Sequence, residues 1–165
     1  YQLTWQENKV FVYDVTTLKK IQEFSWNHEG WGITNNGKNL IISDGGSNLY
    51  IVDPASFKTL SITGVTDNYG PVGNLNELEY INGFVYANRY TTDYIYKIDT
   101  ASGKVVARAD LTDVLIKHAR EWATDPKFQS DNNDGVLNGI AYDSATGKIY
   151  ITGKLWPRIF EIKFN

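Results

Sequence analysis

The stretch LNELEYINGFVYANRYTTDYIYKID, residues 75–99, has the pattern of three β-strands joined by tight turns. The predicted strands run over Glu77–Ile81, Phe84–Arg89 and Tyr94–Asp99. Asn82-Gly83 separates the first two strands, and both residues tolerate the positive φ angles of a type I′ turn. Asn-Gly between two β-rich segments is therefore a strong hairpin signal. The stretch predicts an antiparallel sheet with short connections.

The same pattern recurs along the chain. A strand ending in Asp, a turn of small residues and a Lys before the next strand occur together as VYDVTTLKKI, IVDPASFKTL and KIDTASGKVV. The aspartates are Asp14, Asp53 and Asp99, which lie 39 and 46 residues apart. This period matches the four-stranded blades of β-propellers. We therefore predict an all-β chain that forms blades of a β-propeller.

Strand counting predicts an incomplete ring. The pattern gives three strands in the first unit, four in each of the next two and three in the last, which is roughly three and a half blades. The first unit begins with a strand predicted over Tyr1–Trp5 and lacks its inner strand, and the last unit lacks its outer strand. Because propellers typically close with four to eight blades, we expect residues 1–165 to be one partial propeller domain whose N-terminal part is missing.

One segment departs from the alternating pattern of strands. Leu111, Val114, Leu115, His118 and Trp122 recur at helical spacing, which predicts a short helical insertion at about residues 111–122. Before it, Asp67–Leu75 contains Gly70-Pro71 and is predicted to be a loop.

The composition excludes several classes of function. Hydrophobic residues make up 42% and aromatic residues 14% of the chain, as expected of a folded domain rich in sheet. The net charge of −3 gives no basic footprint for nucleic acid, and no apolar run is long enough to span a bilayer. The chain has no cysteine, which excludes disulfides, thiolate metal sites and a cysteine nucleophile. We expect neither a nucleic-acid partner nor membrane insertion, and the sequence leaves the oligomeric state open.

Metal-binding patterns are weak. Asp131–Asp134, followed by Gly135, resembles the start of a calcium loop, but the position for its final glutamate holds Tyr142. A surface loop is the corresponding prediction, and a weak structural calcium site at Asp131–Asp134 is the alternative. The two histidines, His28 and His118, are far apart, which argues against a catalytic metal held by histidines. We predict no cofactor.

Five segments, in this order, resemble a known family: TWQENKVFVYD, EGWGIT, LNELEYINGFVYAN, DGVLNGIAYD and TGKLWP. They are similar to the plant-type and bacterial glutamine cyclotransferases, which are metal-independent glutaminyl-peptide cyclotransferases. The resemblance extends from Tyr1 to Asn165. It implies a five-bladed propeller, of which this chain matches roughly the C-terminal two-thirds.

The resemblance also implies the reaction. An N-terminal glutamine of a peptide or protein is cyclised to pyroglutamate with release of ammonia, in the periplasm or outside the cell. Such a site must hold the substrate in an attack geometry, stabilise negative charge on the amide oxygen and protonate the departing ammonia.

Site residues follow from the same resemblance. Trp5 in TWQEN and Trp31 in GWG match the walls of the family's pocket. Tyr90 stands where the family usually has a tryptophan. Asn76 in LNELE and Lys154 in TGKLWP match residues that bind and polarise the substrate.

The proton donor is the residue that the resemblance does not supply. The family's presumed acid is a glutamate in an F-x-E-G-L-type segment, which is absent between Tyr1 and Asn165. Glu77 and Glu79 flank Leu78 on one predicted strand and so face the same side. From the residues alone, the preferred interpretation is a buried, hydrogen-bonded carboxylate beside a solvated neighbour. If the missing N-terminal part is not required for activity, Glu77 is the substitute acid.

Other interpretations remain open on the residues alone. Trp5 and Trp31 could pack between sheets, Asn76 could stabilise a turn, and Lys154 could be a solvated surface residue. The corresponding alternatives to an enzyme are a non-catalytic propeller that binds a peptide or small ligand at its channel mouth, or a structural scaffold.

Overall fold

The computed structural model describes residues 1–113 and 135–164. Within these residues the fold is all-β and consists of four antiparallel sheets and a small hairpin. The first sheet contains β1 (Gln2–Leu3), β2 (Lys9–Tyr13) and β3 (Lys20–Ser25), and the second contains β4 (Gly32–Asn35), β5 (Leu40–Ser43), β6 (Asn48–Val52) and β7 (Thr59–Gly64). The small hairpin pairs β8 (Thr66–Asp67) with β9 (Gly70–Pro71). The third sheet contains β10 (Leu75–Ile81), β11 (Phe84–Arg89), β12 (Tyr94–Asp99) and β13 (Val105–Asp110), and the fourth contains β14 (Leu137–Asp143), β15 (Lys148–Gly153) and β16 (Phe160–Ile162).

The stretch that decides the fold behaves as predicted. Strands β11 and β12 have the predicted bounds, and β10 begins two residues earlier than expected. Asn82 and Gly83 have φ angles of 49° and 91°, as a type I′ turn requires. Among the described residues the four main sheets hold three, four, four and three strands, and this predicted count is confirmed.

The repeated Asp turn has a physical basis. In each copy the aspartate carboxylate accepts a hydrogen bond from a Ser or Thr hydroxyl three residues later and from a backbone N–H two or three residues later, and these bonds hold its pKa below the usual value. The residue four positions after the aspartate has a positive φ and donates its N–H to the aspartate carbonyl. The structure adds a fourth Asp turn to the three found in the sequence, and this one joins the first two strands of its sheet whereas the others join the last two. The aspartates are Asp14, Asp53, Asp99 and Asp143, and the positive-φ residues are Leu18, Phe57, Gly103 and Gly147.

Two local predictions are wrong. Residues 67–75 are not a plain loop, because β8 and β9 form a short hairpin and Leu75 already belongs to β10. Val65 and Val72 on either side of the hairpin are 0% and 3% exposed, so the burial of these two side chains holds the hairpin in place. The strand predicted over Tyr1–Trp5 ends at Leu3, since Thr4 turns the chain by bonding to Lys9 through its backbone and hydroxyl.

Two other predictions fall mostly outside the described residues. Of the predicted helical insertion at 111–122, only residues 111–113 are described, and Thr112 and Asp113 are helical. The surface loop predicted at Asp131–Asp134, with its alternative of a weak calcium site, lies outside the described residues. No helix in the described part of the chain is long and apolar enough to cross a membrane.

The core lies between successive sheets. One apolar cluster, which includes Val10 and Ile42, joins the first and second sheets. A second, which includes Ile41 and Leu78, joins the second and third sheets, and a third cluster joins the third and fourth. Alternate side chains of a strand point to opposite faces, so one strand serves two clusters, as Ile41 and Ile42 do.

Candidate functional site

Four loops at one edge of the sheets carry the predicted site residues or their supports. Trp5, Gly45, Tyr90 and Lys154 lie one or two residues after β1, β5, β11 and β15, respectively. These strands are equivalent in two ways. β5, β11 and β15 each follow and pair with the first strand of their sheet, and β1, β5 and β11 each precede the strand that leads into the turn at Asp14, Asp53 or Asp99. In antiparallel sheets of the same order, the ends of equivalent strands lie at the same edge.

Trp31 is at the centre of this edge. It immediately precedes β4, and its backbone N–H donates to the Ser43 carbonyl at 3.1 Å. Its ring packs against Gly45, where an added Cβ would lie 2.5 Å from the indole. Gly45 also has a φ of 81°, so both the lack of space for a Cβ and the backbone conformation favour glycine at this position. The edge contact with Tyr90, with centroids 5.5 Å apart and rings at 83°, fixes the other side of the indole.

Glu29 joins the two predicted wall residues. The indole N–H of Trp5 donates to Glu29 Oε2 at 2.8 Å, and that of Trp31 donates to the same oxygen at 2.7 Å. Gly30 makes this possible, because its N–H bonds to the Thr4 carbonyl and an added Cβ would lie 2.4 Å from Leu3 Cβ. The backbone at Gly30 therefore brings Glu29 against the loop that holds Trp5.

Trp5 is not a core residue. Its side chain is 59% exposed, so the packing interpretation fails for this tryptophan. The tryptophan that does pack between the first two sheets is Trp26, which is 5% exposed and meets Tyr50 and Phe57 edge-on.

Lys154 and Tyr90 form the other end of the site. The Lys154 ammonium lies 5.2 Å from the centroid of the Tyr90 ring, within the range of a cation–π contact. The Lys154 backbone N–H bonds to the Val136 carbonyl at 2.9 Å, and that of Tyr90 bonds to the Asn74 carbonyl at 2.8 Å. Both loops are thus held by the segments that lead into β10 and β14.

Asn76 is 7% exposed. Its backbone packs against that of Gly32, the residue after Trp31. The Asn76 carbonyl accepts the Ser43 hydroxyl at 2.6 Å, and an added Cβ at Gly32 would lie 2.0 Å from that carbonyl oxygen. The pairing of β10 shifts register between Leu75 and Leu78, at Asn76. An equivalent shift in β14 contains Asn138, so the repeated Leu-Asn marks a bulge at the entry to an inner strand.

Glu77 and Glu79 face the same side, as predicted, and that side meets β14. Glu77 Oε2 accepts the Ile140 N–H at 2.8 Å, and Glu79 Oε1 accepts the Tyr142 N–H at 3.1 Å. Burial raises the pKa of the Glu77 carboxyl to about 7, while the Ile140 hydrogen bond opposes the rise and the charge of Glu79 adds to it. Burial also raises the pKa of Glu79. The two carboxyls fasten the third sheet to the fourth.

The described residues contain no cluster of three or more His, Asp or Glu side chains that could hold a metal ion. A cavity of about 620 Å³ lies against Ala141, Tyr150 and Ile159 of the fourth sheet and includes none of the six predicted site residues.

Four of the six predicted site residues are connected by direct contacts. The row runs from Trp5 through Glu29 and Trp31 to Tyr90 and Lys154. Asn76 lies beside it, and the Glu77 carboxyl lies between sheets. Sequence reasoning missed Glu29, although the residue belongs to the EGWGIT segment. The sequence feature that could have indicated Glu29 is a carboxylate two positions before a tryptophan in a polar loop.

With this geometry established, the class of the protein follows from comparison with known proteins. The chain belongs to the glutamine cyclotransferase family, whose sequence model matches residues 1–164. The chain is 36% identical over 169 residues to glutaminyl-peptide cyclotransferase of Arabidopsis thaliana, covering 100% of this chain and 49% of that protein. The crystal structure of Myxococcus xanthus glutaminyl cyclase matches with a TM-score of 0.88 and 36% identity, over 99% of this chain and 67% of that one.

The predicted family is confirmed by these similarities. The chain spans about half the length of the curated plant relative and about two-thirds of the bacterial structure. The structural match extends over nearly the whole of this chain, and the described residues form an all-β fold.

Proposed function

We propose that the protein is a glutaminyl-peptide cyclotransferase, acting without a metal on peptides or proteins that begin with glutamine. The observation that carries the proposal is the connected row of Trp5, Trp31, Tyr90 and Lys154 in a chain of this family. A scaffold protein has no need of an exposed tryptophan held by a charged hydrogen bond.

We further propose that the four main sheets are blades of a five-bladed β-propeller. The consecutive packing of sheets of the same strand order supports this architecture, because propeller blades pack in chain order around an axis. The inner strands β4, β10 and β14 contact one another in turn, as strands nearest such an axis would. The site edge is then one mouth of the central channel.

The proposed reaction closes a lactam ring and releases ammonia. The substrate's α-nitrogen attacks the carboxamide carbon, a new C–N bond forms, and the bond to the side-chain nitrogen breaks. One proton passes overall from the α-nitrogen to the leaving nitrogen, which departs as ammonia. Trp5, Trp31 and Tyr90 enclose the glutamine and exclude water from it. Lys154 and Asn76 stabilise the negative charge that develops on the amide oxygen.

Glu77 is the proposed proton donor. A carboxyl with a pKa of about 7 is protonated in part at neutral pH, as a general acid must be. Its Oε2 is occupied by the Ile140 N–H, so the other oxygen has to carry the proton.

Mass spectrometry of a Gln-initiated peptide incubated with the 165-residue chain and a chelator tests the proposal. We expect loss of one ammonia from the peptide, with turnover lowered by about 100-fold in Lys154→Ala because the charge that faces the oxyanion is removed. Lys38→Ala is the matched control, since Lys38 lies in an exposed hairpin after β4.

The outcomes separate the alternatives. Ammonia loss that is equal in wild type, Lys154→Ala and Lys38→Ala removes Lys154 from the mechanism. Binding of the peptide without any ammonia loss favours a non-catalytic peptide-binding protein over an enzyme. Where the wild-type chain does release ammonia, Glu77→Gln distinguishes a proton donor from a structural carboxyl. Loss of turnover in a folded variant indicates a proton donor, and unchanged turnover indicates a structural carboxyl.

A further inference from the structure

Glu29 carries a negative charge that the described part of the chain does not neutralise. Both of its known partners are indole N–H groups, and both bind one oxygen, Oε2. The ion pairs among the described residues do not include Glu29. Hydrogen bonds to an ionised carboxylate are strong, so the two indoles hold the group in place, and Oε1 has no hydrogen-bond partner within residues 1–113 and 135–164.

Lys154 is the opposite charge at the other end of the same row. Its ammonium lies over Tyr90, and it too is in none of the ion pairs of residues 1–113 and 135–164. Two aromatic side chains, Trp31 and Tyr90, stand between the anion and the cation. The part of the row from Glu29 to Lys154 therefore has a hydrogen-bond acceptor at one end and a donor at the other.

We propose that Glu29 is a substrate-binding residue that receives the N-terminal amine of the peptide, with the carboxamide oxygen directed to Lys154. The inference rests on the proposed function and adds the direction in which the substrate lies. An amino-terminal glutamine has the matching pattern, because its amine donates hydrogen bonds and its amide oxygen accepts them. The Glu29 carboxylate takes an amine N–H on Oε1 and fixes the α-nitrogen for attack.

The assignment predicts a specificity for free amines. Acetylation turns the amine into an amide with a single N–H and adds bulk where Glu29 would bind it. That bulk keeps the remaining N–H away from Oε1, so the acetylated peptide gains nothing from the Glu29 charge. Peptides with a free N-terminal amine are therefore the ligand class that Glu29 selects.

The test measures binding rather than turnover. The probe is a short peptide that begins with asparagine, which has an amine and a carboxamide but is one methylene too short for the five-membered lactam. Its N-acetylated form is the second probe. Quenching of tryptophan fluorescence in the 165-residue chain reports binding, since Trp5 and Trp31 line the site. Glu29→Gln keeps an acceptor oxygen for the indoles and removes the charge, while Glu7→Gln removes an exposed charge from the loop that holds Trp5.

We expect Glu29→Gln to weaken binding of the free-amine peptide by about tenfold or more, since a hydrogen bond to a charged group is lost. Binding of the acetylated peptide stays unchanged, and Glu7→Gln changes neither. Equal weakening of both peptides by Glu29→Gln overturns the proposal, because Glu29 would then only position the indoles. Unchanged binding of both peptides overturns it as well. If the wild-type chain binds neither peptide and releases no ammonia, the proposed function fails first and the inference falls with it.

Discussion

Replacing Glu77 by glutamine should make the stability of the protein less dependent on pH. The Glu77 carboxyl accepts the Ile140 N–H at 2.8 Å between the third and fourth sheets. A glutamine side-chain oxygen can accept the same hydrogen bond without carrying a charge. The substitution therefore tests the cost of ionising this buried group rather than the contact itself.

The sign and size of the change in stability with pH follow from the pKa of Glu77. Burial raises the pKa of Glu77 from 4.5 to about 7 in the folded protein. Below pH 4.5 the carboxyl is protonated in both states, so its favourable contribution is fully present. As pH rises toward 7 the unfolded chain releases its proton first, and stability is lost until the folded state has released its own. Since one pKa unit corresponds to about 1.36 kcal/mol, the loss is about 3 kcal/mol.

Urea unfolding at pH 4 and pH 8 measures the effect. The free energy of unfolding of Glu77→Gln relative to wild type should increase by about 3 kcal/mol between the two pH values. Glu79 also titrates at this interface, but it is present in both proteins and largely cancels in the difference. Glu7→Gln controls for the change in net charge. A difference between Glu77→Gln and wild type that is the same at both pH values would refute the reasoning.

Three further substitutions probe the backbone, each by urea unfolding. Leu18→Gly should raise the free energy of unfolding by about 0.5 kcal/mol, because Leu18 has a φ of 55° and is 75% exposed; a lower value would contradict strain at this turn. Phe57→Gly at the equivalent position should instead lower it by about 3 kcal/mol, since Phe57 is 6% exposed and stacks on Phe24; equal effects at both positions would show that burial is unimportant there. Gly32→Ala should cost about 1–3 kcal/mol, because its Cβ would lie 2.0 Å from the Asn76 carbonyl oxygen; wild-type stability would mean that the two backbones separate freely.

Local sequence patterns predicted most of the fold because the sheets form from short-range turns. Asn82-Gly83 and the Asp turns fix the hairpins within a few residues, so β11 and β12 were predicted to the residue. The β8–β9 hairpin was missed because its two-residue strands have no alternating pattern. Its existence depends on the burial of Val65 and Val72 against the third sheet, which is a tertiary effect.

The candidate site was harder to predict, because its contacts join distant segments. Trp5 and Glu29 are 24 residues apart, and no local pattern indicates that Gly30 lets the two backbones meet. The face shared by Glu77 and Glu79 was predictable from the period of a strand. Their partners on β14, 63 residues away, were not.

The repeat explains why the row of contacts exists at all. The loops after β1, β5, β11 and β15 occupy equivalent places in their sheets. The side chains of Trp5, Tyr90 and Lys154 are therefore brought to one edge by the scaffold rather than by one another. The equivalent loop of the second sheet contributes Gly45, which has no side chain. That absence is needed, since a Cβ there would lie 2.5 Å from the Trp31 indole and push it away from Glu29 and Tyr90. The repeated backbone thus supplies four equivalent positions, and the chemistry of the site comes from giving each of them a different residue.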